Sequence, residues 1–489
     1  MLSSVFVSVL QTVSCPLLSV LNISPDRHVQ LEQGQAVTVA GMGEAGDQAG
    51  TVREMELSSL AEASTAAPDS PGRAAALLSH CQARLAEPGT GLEAALVRSL
   101  ADCCRSEVGR EAVLDSEILL QLCPAPWPAQ PELGVQLCRL VGNLCYDSPG
   151  GREAVLRCGL LDKLATWLDT EMDTTTAHHK VWTVLPAALH NFCADTPANL
   201  PHISRLGVLA ARGLHQGGDQ PSQAGVESLL QLVGGLGPGR GAFVAQPPLP
   251  ALFVLLTTTV ADEEVRTSLL EVMLDCCSEE EVAAALVQAG LVPALLQDRT
   301  ISQPGLDLLA TLSSYESLLP GLLERDSLLY TTVFTWLESQ DSELQTGTAA
   351  LVLGNLATSE AGCLQLLATP APAKLLSHLV AGSTPRLLHA ALGCLRNLAV
   401  CPAARPALRE LGFPAAAARL LLHLAPGPDH SLTPRLTGAL RLATTPDPAS
   451  SAELGMEPGL AECLVSLASG SLVPGLAVEA ARLLSSVMR

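Results

Sequence analysis

The chain has 489 residues and a formal net charge of −21, from 28 Lys and Arg against 49 Asp and Glu. Apolar residues make up 48% and charged residues only 16%, which excludes a mostly disordered chain. The acid excess and the few aromatics (4 Trp, 3 Tyr, 6 Phe) argue against nucleic-acid binding, which needs cations for phosphates and rings for bases. Leu, Ala and Val must build the core, which favours packed helices.

Residues 1–23 carry no charge but are interrupted by Ser and Thr. They lack the basic start of a signal peptide and are too polar for a membrane span. The sequon Asn22-Ile23-Ser24 matters only in a secreted chain. Residues 34–50 are rich in Gly and Ala and read as flexible chain, and Met55 opens a segment that looks like an ordinary start. Residues 1–72 are therefore read as a leader, with 1–54 a candidate alternative start, ahead of a folded region at 73–489. Within the leader, Gly41-Met42-Gly43-Glu44-Ala45-Gly46 matches GxGxxG. A dinucleotide site needs a helix and a second strand after it. The chain runs instead into the loop signal Pro68-Asp69-Ser70-Pro71-Gly72, so the match is set aside.

Self-similarity begins after Gly72. Leu140-Val141-Gly142-Asn143-Leu144-Cys145 recurs as Leu353-Gly354-Asn355-Leu356-Ala357, as Leu395-Arg396-Asn397-Leu398-Ala399 and, more loosely, as Leu189-His190-Asn191-Phe192-Cys193. Weaker copies place Asp102, Gly235, Asp275, Thr311, Leu442 and Ser486 at the same register. The mean spacing is about 43 residues, in the armadillo/HEAT range. A second marker runs in phase. Gly159, Gly207, Gly290, Gly412 and Gly459 each follow a register position by 15–17 residues, ahead of a new apolar helix. They suit a sharp turn where φ is positive or packing is close.

Apolar spacing between the markers is helical, as in Leu387, Leu388, Ala391, Leu392, Leu395 and Leu398. No run of alternating β-branched residues persists after residue 72. The expected fold is all-α: an armadillo-repeat, right-handed superhelical solenoid of nine or ten repeats. The fifteen cysteines lie mostly within these apolar patterns and read as small buried hydrophobes of a reducing compartment. Cys103-Cys104 and Cys276-Cys277 cannot both face one metal from a regular helix, and no CxxC recurs at zinc spacing, so no metal site is expected.

The recurring Asn belongs on the third helix of each repeat, where a row of helices lines a groove. Asn143, Asn191, Asn355 and Asn397 either offer a donor and an acceptor to a partner's backbone or satisfy a group of their own chain. The ladder is broken at Gly235, Thr311 and Leu442, so an extended peptide cannot be gripped evenly along it.

Two stretches carry a resemblance beyond the repeat type. Asn143-Leu144-Cys145-Tyr146-Asp147-Ser148, followed by Gly151-Arg152-Glu153-Ala154-Val155, is similar to the small-GTPase GDP-dissociation stimulators, the SmgGDS family. So is His389-Ala390-Ala391-Leu392 running into Leu395-Arg396-Asn397-Leu398-Ala399. Further similar segments start at Glu271, Leu344 and Gly438, and together they span residues 75–489 in order. The family continues for further repeats, so the resemblance implies a diverged or shortened form.

The resemblance implies a cytosolic, monomeric protein that binds prenylated Rho- and Ras-family GTPases with polybasic tails. It would act as their chaperone and as a stimulator of GDP release, a guanine nucleotide exchange factor without nucleophile, metal or cofactor. Carried over, Asn355, Arg396, Asn397 and Arg441 are candidates for the GTPase-facing groove, with Asn143 and Asn191 in the same ladder. Arg396 and Arg441 each precede a register position and should share a wall, either meeting a partner carboxylate or lying in solvent. For the basic tail the acidic candidates are Asp262, Glu263 and Glu264, with Asp275, Glu279, Glu280 and Glu281. They either draw in the tail or only favour helix starts. The stretch 297–304, acidic in the family, is nearly neutral here.

The alternative is a non-catalytic armadillo scaffold or adaptor that binds extended peptides. A nuclear-import adaptor would pair Trp with the ladder, and Trp127, Trp167, Trp182 and Trp336 do not. An enzyme is not expected, because His178, His179 and His190 have no nucleophile at a recognisable spacing. Neither nucleic acid nor an integral membrane span is expected.

Overall fold

The structure, a computed structural model, describes residues 71–488 apart from 86–92, 172–178, 195–198, 210–222, 298–300, 426–431, 445–447, 471–473 and scattered single positions. The leader up to residue 70, with its GxGxxG match and sequon, lies outside the described residues. So does part of the near-neutral stretch 297–304.

The described residues form helices and no strand. Every register position falls within the last four residues of a helix. These ladder helices are α1 (Glu93–Cys103), α2 (Pro131–Cys145), α3 (His179–Cys193), α4 (Gln223–Gly235), α5 (Glu263–Cys276), α6 (Gln303–Leu312), α7 (Glu343–Leu356), α8 (Pro385–Val400), α9 (Thr433–Thr444) and α10 (Pro474–Val487). Two shorter helices typically precede each one, as Glu360–Leu367 and Ala371–Ala381 precede α8. This three-helix unit, stacked on its neighbours, is the armadillo repeat.

Packing divides the chain into two compact units. One runs up to Trp167 and includes Ala187–Phe192; the other comprises Leu168–Pro186 and Cys193–Arg489. The boundary passes through α3, which carries Pro186 in its interior. A proline there removes one helical N–H and loosens the i−4 ladder. In the first unit α1 packs on α2. In the second, α4 to α10 pack each on the next, and the core is a file of Leu and Ala side chains.

Turns follow the expected glycines. Gly159, Gly290, Gly412 and Gly459 adopt φ between 70° and 94°, the left-handed region a side chain avoids. Gly207 is not among them. Its requirement is close packing, since a Cβ there would stand 2.5 Å from the Phe243 ring.

A Ser-x-x-Gly device also recurs. Ser106, Ser148 and Ser359 cap the helices Glu107–Asp115, Pro149–Arg157 and Glu360–Leu367 by accepting from the N–H of Gly109, Gly151 and Gly362 at 3.0–3.1 Å. At each of these glycines a Cβ would lie only 1.9–2.0 Å from the carbonyl oxygen of Cys103, Leu144 or Leu356. The new helix thus starts hard against the end of the ladder helix before it.

Candidate GTPase-facing site

The four ladder asparagines share one geometry. Asn143 Nδ2 donates to the Ala101 carbonyl at 2.8 Å and Asn191 Nδ2 to the Gly142 carbonyl at 3.1 Å. Asn397 Nδ2 donates to the Gly354 carbonyl at 2.9 Å. Asn355 Nδ2 is shared between the Ala310 carbonyl at 3.3 Å and Ser313 Oγ at 2.9 Å. In every case the acceptor is the residue just before the register position of the preceding repeat. The amide donor is therefore used within the chain, stitching one ladder helix to the last. At Asn143, Asn191 and Asn397, which are half-buried, the side-chain acceptor Oδ1 is what remains for a partner; Asn355, expected to face the groove, is buried between α6 and α7 and serves the packing of the ladder helices.

Arg441 and Arg396 occupy equivalent places on α9 and α8, and both are half-buried. Their surroundings differ. Arg441 Nε donates to Glu479 Oε2 on α10, with both side chains about three-quarters covered. Glu479 stands seven residues before the α10 register position. The residue seven before the α9 register position is Arg435. Where α9 and α10 pair an arginine with a glutamate, α8 and α9 set Arg396 against Arg435.

Arg435 also reaches His389 Nε2 on α8 with Nη1. Burial lowers the Arg435 guanidinium below its ordinary range, and the Arg396 charge adds to the effect. Burial, then Arg435, pushes His389 down to about 4, so it is neutral near pH 7 and accepts from Arg435. Three cation-forming side chains thus meet on α8 and α9. Sequence reasoning missed Arg435 and His389. The signal was present in the register, because 435 and 479 hold the same place in successive repeats while their charges are opposite.

The acidic candidates fall into two groups. Asp262 caps α5, its Oδ1 accepting from the N–H of Glu264 and Val265 at 3.0 Å, and Glu263 and Glu264 fill the first turn. Asp275, at the far end of α5, lies roughly 20 Å away along the helix at 1.5 Å per residue. It pairs with Arg240 at 2.9 Å. Glu279 precedes the helix Glu280–Gln288, whose first turn holds Glu280 and Glu281. Glu280 also accepts from Ser317 Oγ. All seven are exposed. All but Asp275 stand at helix starts, where the macrodipole favours acid, so local stability accounts for much of their placement.

Among the described residues no cluster of His, Cys, Asp or Glu is placed to hold a metal ion. No described helix is by itself long and apolar enough to cross a membrane. His178 lies outside the described residues.

No family model matches the chain. In sequence it is 24% identical over 412 residues to the Rap1 GTPase-GDP dissociation stimulator 1-A of Xenopus laevis, covering 80% of this chain and 67% of that protein. It is likewise 24% identical over 443 residues to the GTPase-GDP dissociation stimulator vimar of Drosophila melanogaster, covering 82% and 66%. The chain thus spans about two thirds of the length of these relatives. In structure it matches an engineered protein at a TM-score of 0.54 and 18% identity, over 85% of this chain and 99% of that one. It also matches a structure from work on a phosphorylation switch between cadherin and β-catenin, at a TM-score of 0.51 and 15% identity, over 90% and 91%. Those structural matches speak for the fold alone. The sequence relatives carry the finding further: over some four-fifths of its length the chain is similar to the GTPase-GDP dissociation stimulators.

Proposed function

We propose that this protein binds small GTPases on the face formed by α7 to α10 and promotes release of their GDP. The observation that carries this reading is the Arg396–Arg435–His389 cluster. It is an uncompensated cationic spot on a chain of charge −21, at the same two positions that the next repeat neutralises. An acidic segment of a GTPase docked there would supply the missing carboxylate. Asn397, on α8 and half-buried, would offer Oδ1 to its backbone.

The mechanism is differential binding. A protein that holds the opened, nucleotide-depleted GTPase more tightly than the GDP-bound form lowers GDP affinity by the same factor. No nucleophile is required. In this reading the partners are prenylated Rho- and Ras-family GTPases with polybasic tails. Asp275 and Glu279, Glu280 and Glu281 attract the tail at long range. Asp262, Glu263 and Glu264 add only to the overall field. The protein works as a monomer in the cytosol, which sedimentation and cell fractionation would check.

The test is binding to prenylated and unprenylated RhoA, with Rap1 as a second GTPase, followed by release of a fluorescent GDP analogue. Faster release that depends on Arg396 and Arg435 supports exchange activity. Binding without release leaves a chaperone. Absence of binding to every prenylated GTPase removes the reading. The free Oδ1 acceptors of Asn143, Asn191 and Asn397 favour one other reading, a scaffold for an extended peptide. That reading predicts peptide capture in place of GTPase binding.

A further inference from the structure

One ion pair of the second unit skips a repeat. Arg386, in the first turn of α8, donates from Nη2 to Asp307 Oδ1 on α6 at 3.0 Å. Between those two helices α7 is interposed, packed on both. In a stacked array a side chain ordinarily reaches only the neighbouring repeat. Arg98 with Glu132, Arg139 with Asp102 and Arg441 with Glu479 do just that.

Both ends of the bridge are held. Gln303 Nε2, one turn earlier on α6, donates to the same Asp307 oxygen at 2.7 Å. The N–H of Thr384, just before α8, donates to Glu343 Oε1 at the start of α7 at 3.4 Å. The Arg386 and Asp307 side chains are 45% and 38% exposed, so solvent and a partner can both reach the bridge.

Arg386 also extends the cationic spot described above. Arg386, His389, Gly393 and Arg396 fall at i, i+3, i+7 and i+10 of α8, which places them on one face of the helix. The stripe is about 15 Å long at 1.5 Å per residue. Arg435 of α9 joins it through His389. At Gly393, in its middle, a Cβ would meet nothing within 4 Å, so the stripe is open there. Its two ends differ. Arg396 and Arg435 lack a carboxylate among the described residues, whereas Arg386 has one that the chain itself supplies from two repeats back.

Resting on the reading of the α8–α9 cluster as the docking point, we propose that Arg386 is a further contact for the partner's acidic segment and that Asp307 is a built-in competitor for it. A segment with carboxylates at both ends of the stripe displaces Asp307 from Arg386. A segment with a single acid takes only the Arg396–Arg435 end. Asp307 thus raises the number of acidic groups that a partner must bring. Apparent affinity is scaled by the fraction of chains in which Arg386 is free. An exposed ion pair is weak, so the restraint is small and readily reversed.

The test uses the full chain and a fluorescein-labelled hexaglutamate peptide at low ionic strength, read by fluorescence anisotropy. Asp307→Asn should tighten binding about twofold to fivefold, the range that releasing an exposed pair allows. Arg386→Gln should weaken it by a similar factor. Loss of Asp307 also makes the region more positive, so the double variant decides. On an Arg386→Gln background, Asp307→Asn should have no further effect, whereas a general field effect would persist. No tightening by Asp307→Asn, or the same tightening without Arg386, would overturn the competitor role. Arg435→Glu separates the two levels. If it abolishes peptide binding while Asp307→Asn changes nothing, the docking point stands and the competitor falls. If no variant binds the peptide, displacement is overturned, and GTPase docking is left to the nucleotide-release assay.

Discussion

Arg441 on α9 and Glu479 on α10 form an ion pair, and one repeat earlier the same two positions hold Arg396 and Arg435. Successive repeats share a backbone, so a change of charge at one position alters what can dock at that step and little else. The α8–α9 step is the place on this face where a partner's carboxylate would complete a pair that the chain leaves open.

The first prediction reverses that charge. Arg435→Glu recreates the Arg441–Glu479 arrangement against Arg396. It should raise stability by about 0.5–1 kcal/mol, as expected for a partly covered pair, and weaken GTPase binding by at least about tenfold. Denaturation with urea and a binding titration on the same sample check both. Higher stability with unchanged binding would remove the cluster from the interface.

The second concerns pH. His389 is held at about 4 in the folded protein, against 6.5 for a free imidazole. Between those values the unfolded chain carries a proton that the folded chain refuses. Stability therefore falls as pH drops through that window, and the group contributes no slope above about pH 7. With allowance for its partial exposure, the loss is of order 1–2 kcal/mol. His389→Gln should flatten this limb of the unfolding free energy measured against pH, and an unchanged slope would place the titration elsewhere.

The third separates stitching from recognition. Asn397→Ala leaves the Gly354 carbonyl without its donor and should cost about 1–2 kcal/mol in unfolding experiments. Asn397→Asp keeps an oxygen acceptor but sets it against that carbonyl, so it should cost at least as much. If Asn397 served a partner alone, both variants would retain full stability and lose only binding.

The fourth uses two glycines with opposite surroundings. At Gly362 a Cβ would lie 1.9 Å from the Leu356 carbonyl oxygen, whereas at Gly393 nothing lies within 4 Å. Gly362→Ala should destabilise by about 2 kcal/mol or more, because backbone must move. Gly393→Ala, inside α8, should gain roughly 0.5–1 kcal/mol from helix propensity and a stiffer unfolded chain. Thermal midpoints of the two variants should move in opposite directions.

Much of this architecture is legible without coordinates, because a repeat array is close to one-dimensional. Each repeat contacts its neighbours, so a period in the sequence is also a period in space. That is why the positions from Asp102 to Ser486 all fall at the ends of ladder helices, and why four of the five marker glycines have positive φ. The similarity of Arg396 and Arg441 could be read from register alone. What each arginine touches could not, since that depends on a residue some 40 positions away on the next ladder helix.

Sequence alone determined the helical repeat, its spacing, the ladder of asparagines and the resemblance to GDP-dissociation stimulators. These are local or periodic properties, written in apolar spacing, in turn residues and in motifs a few residues long. Only the tertiary structure decided where the asparagine donors go, and which arginine is neutralised and which is not. Hydrogen bonds and charge compensation are properties of pairs brought together by stacking, and their energies change over a few ångströms that no spacing along the chain specifies.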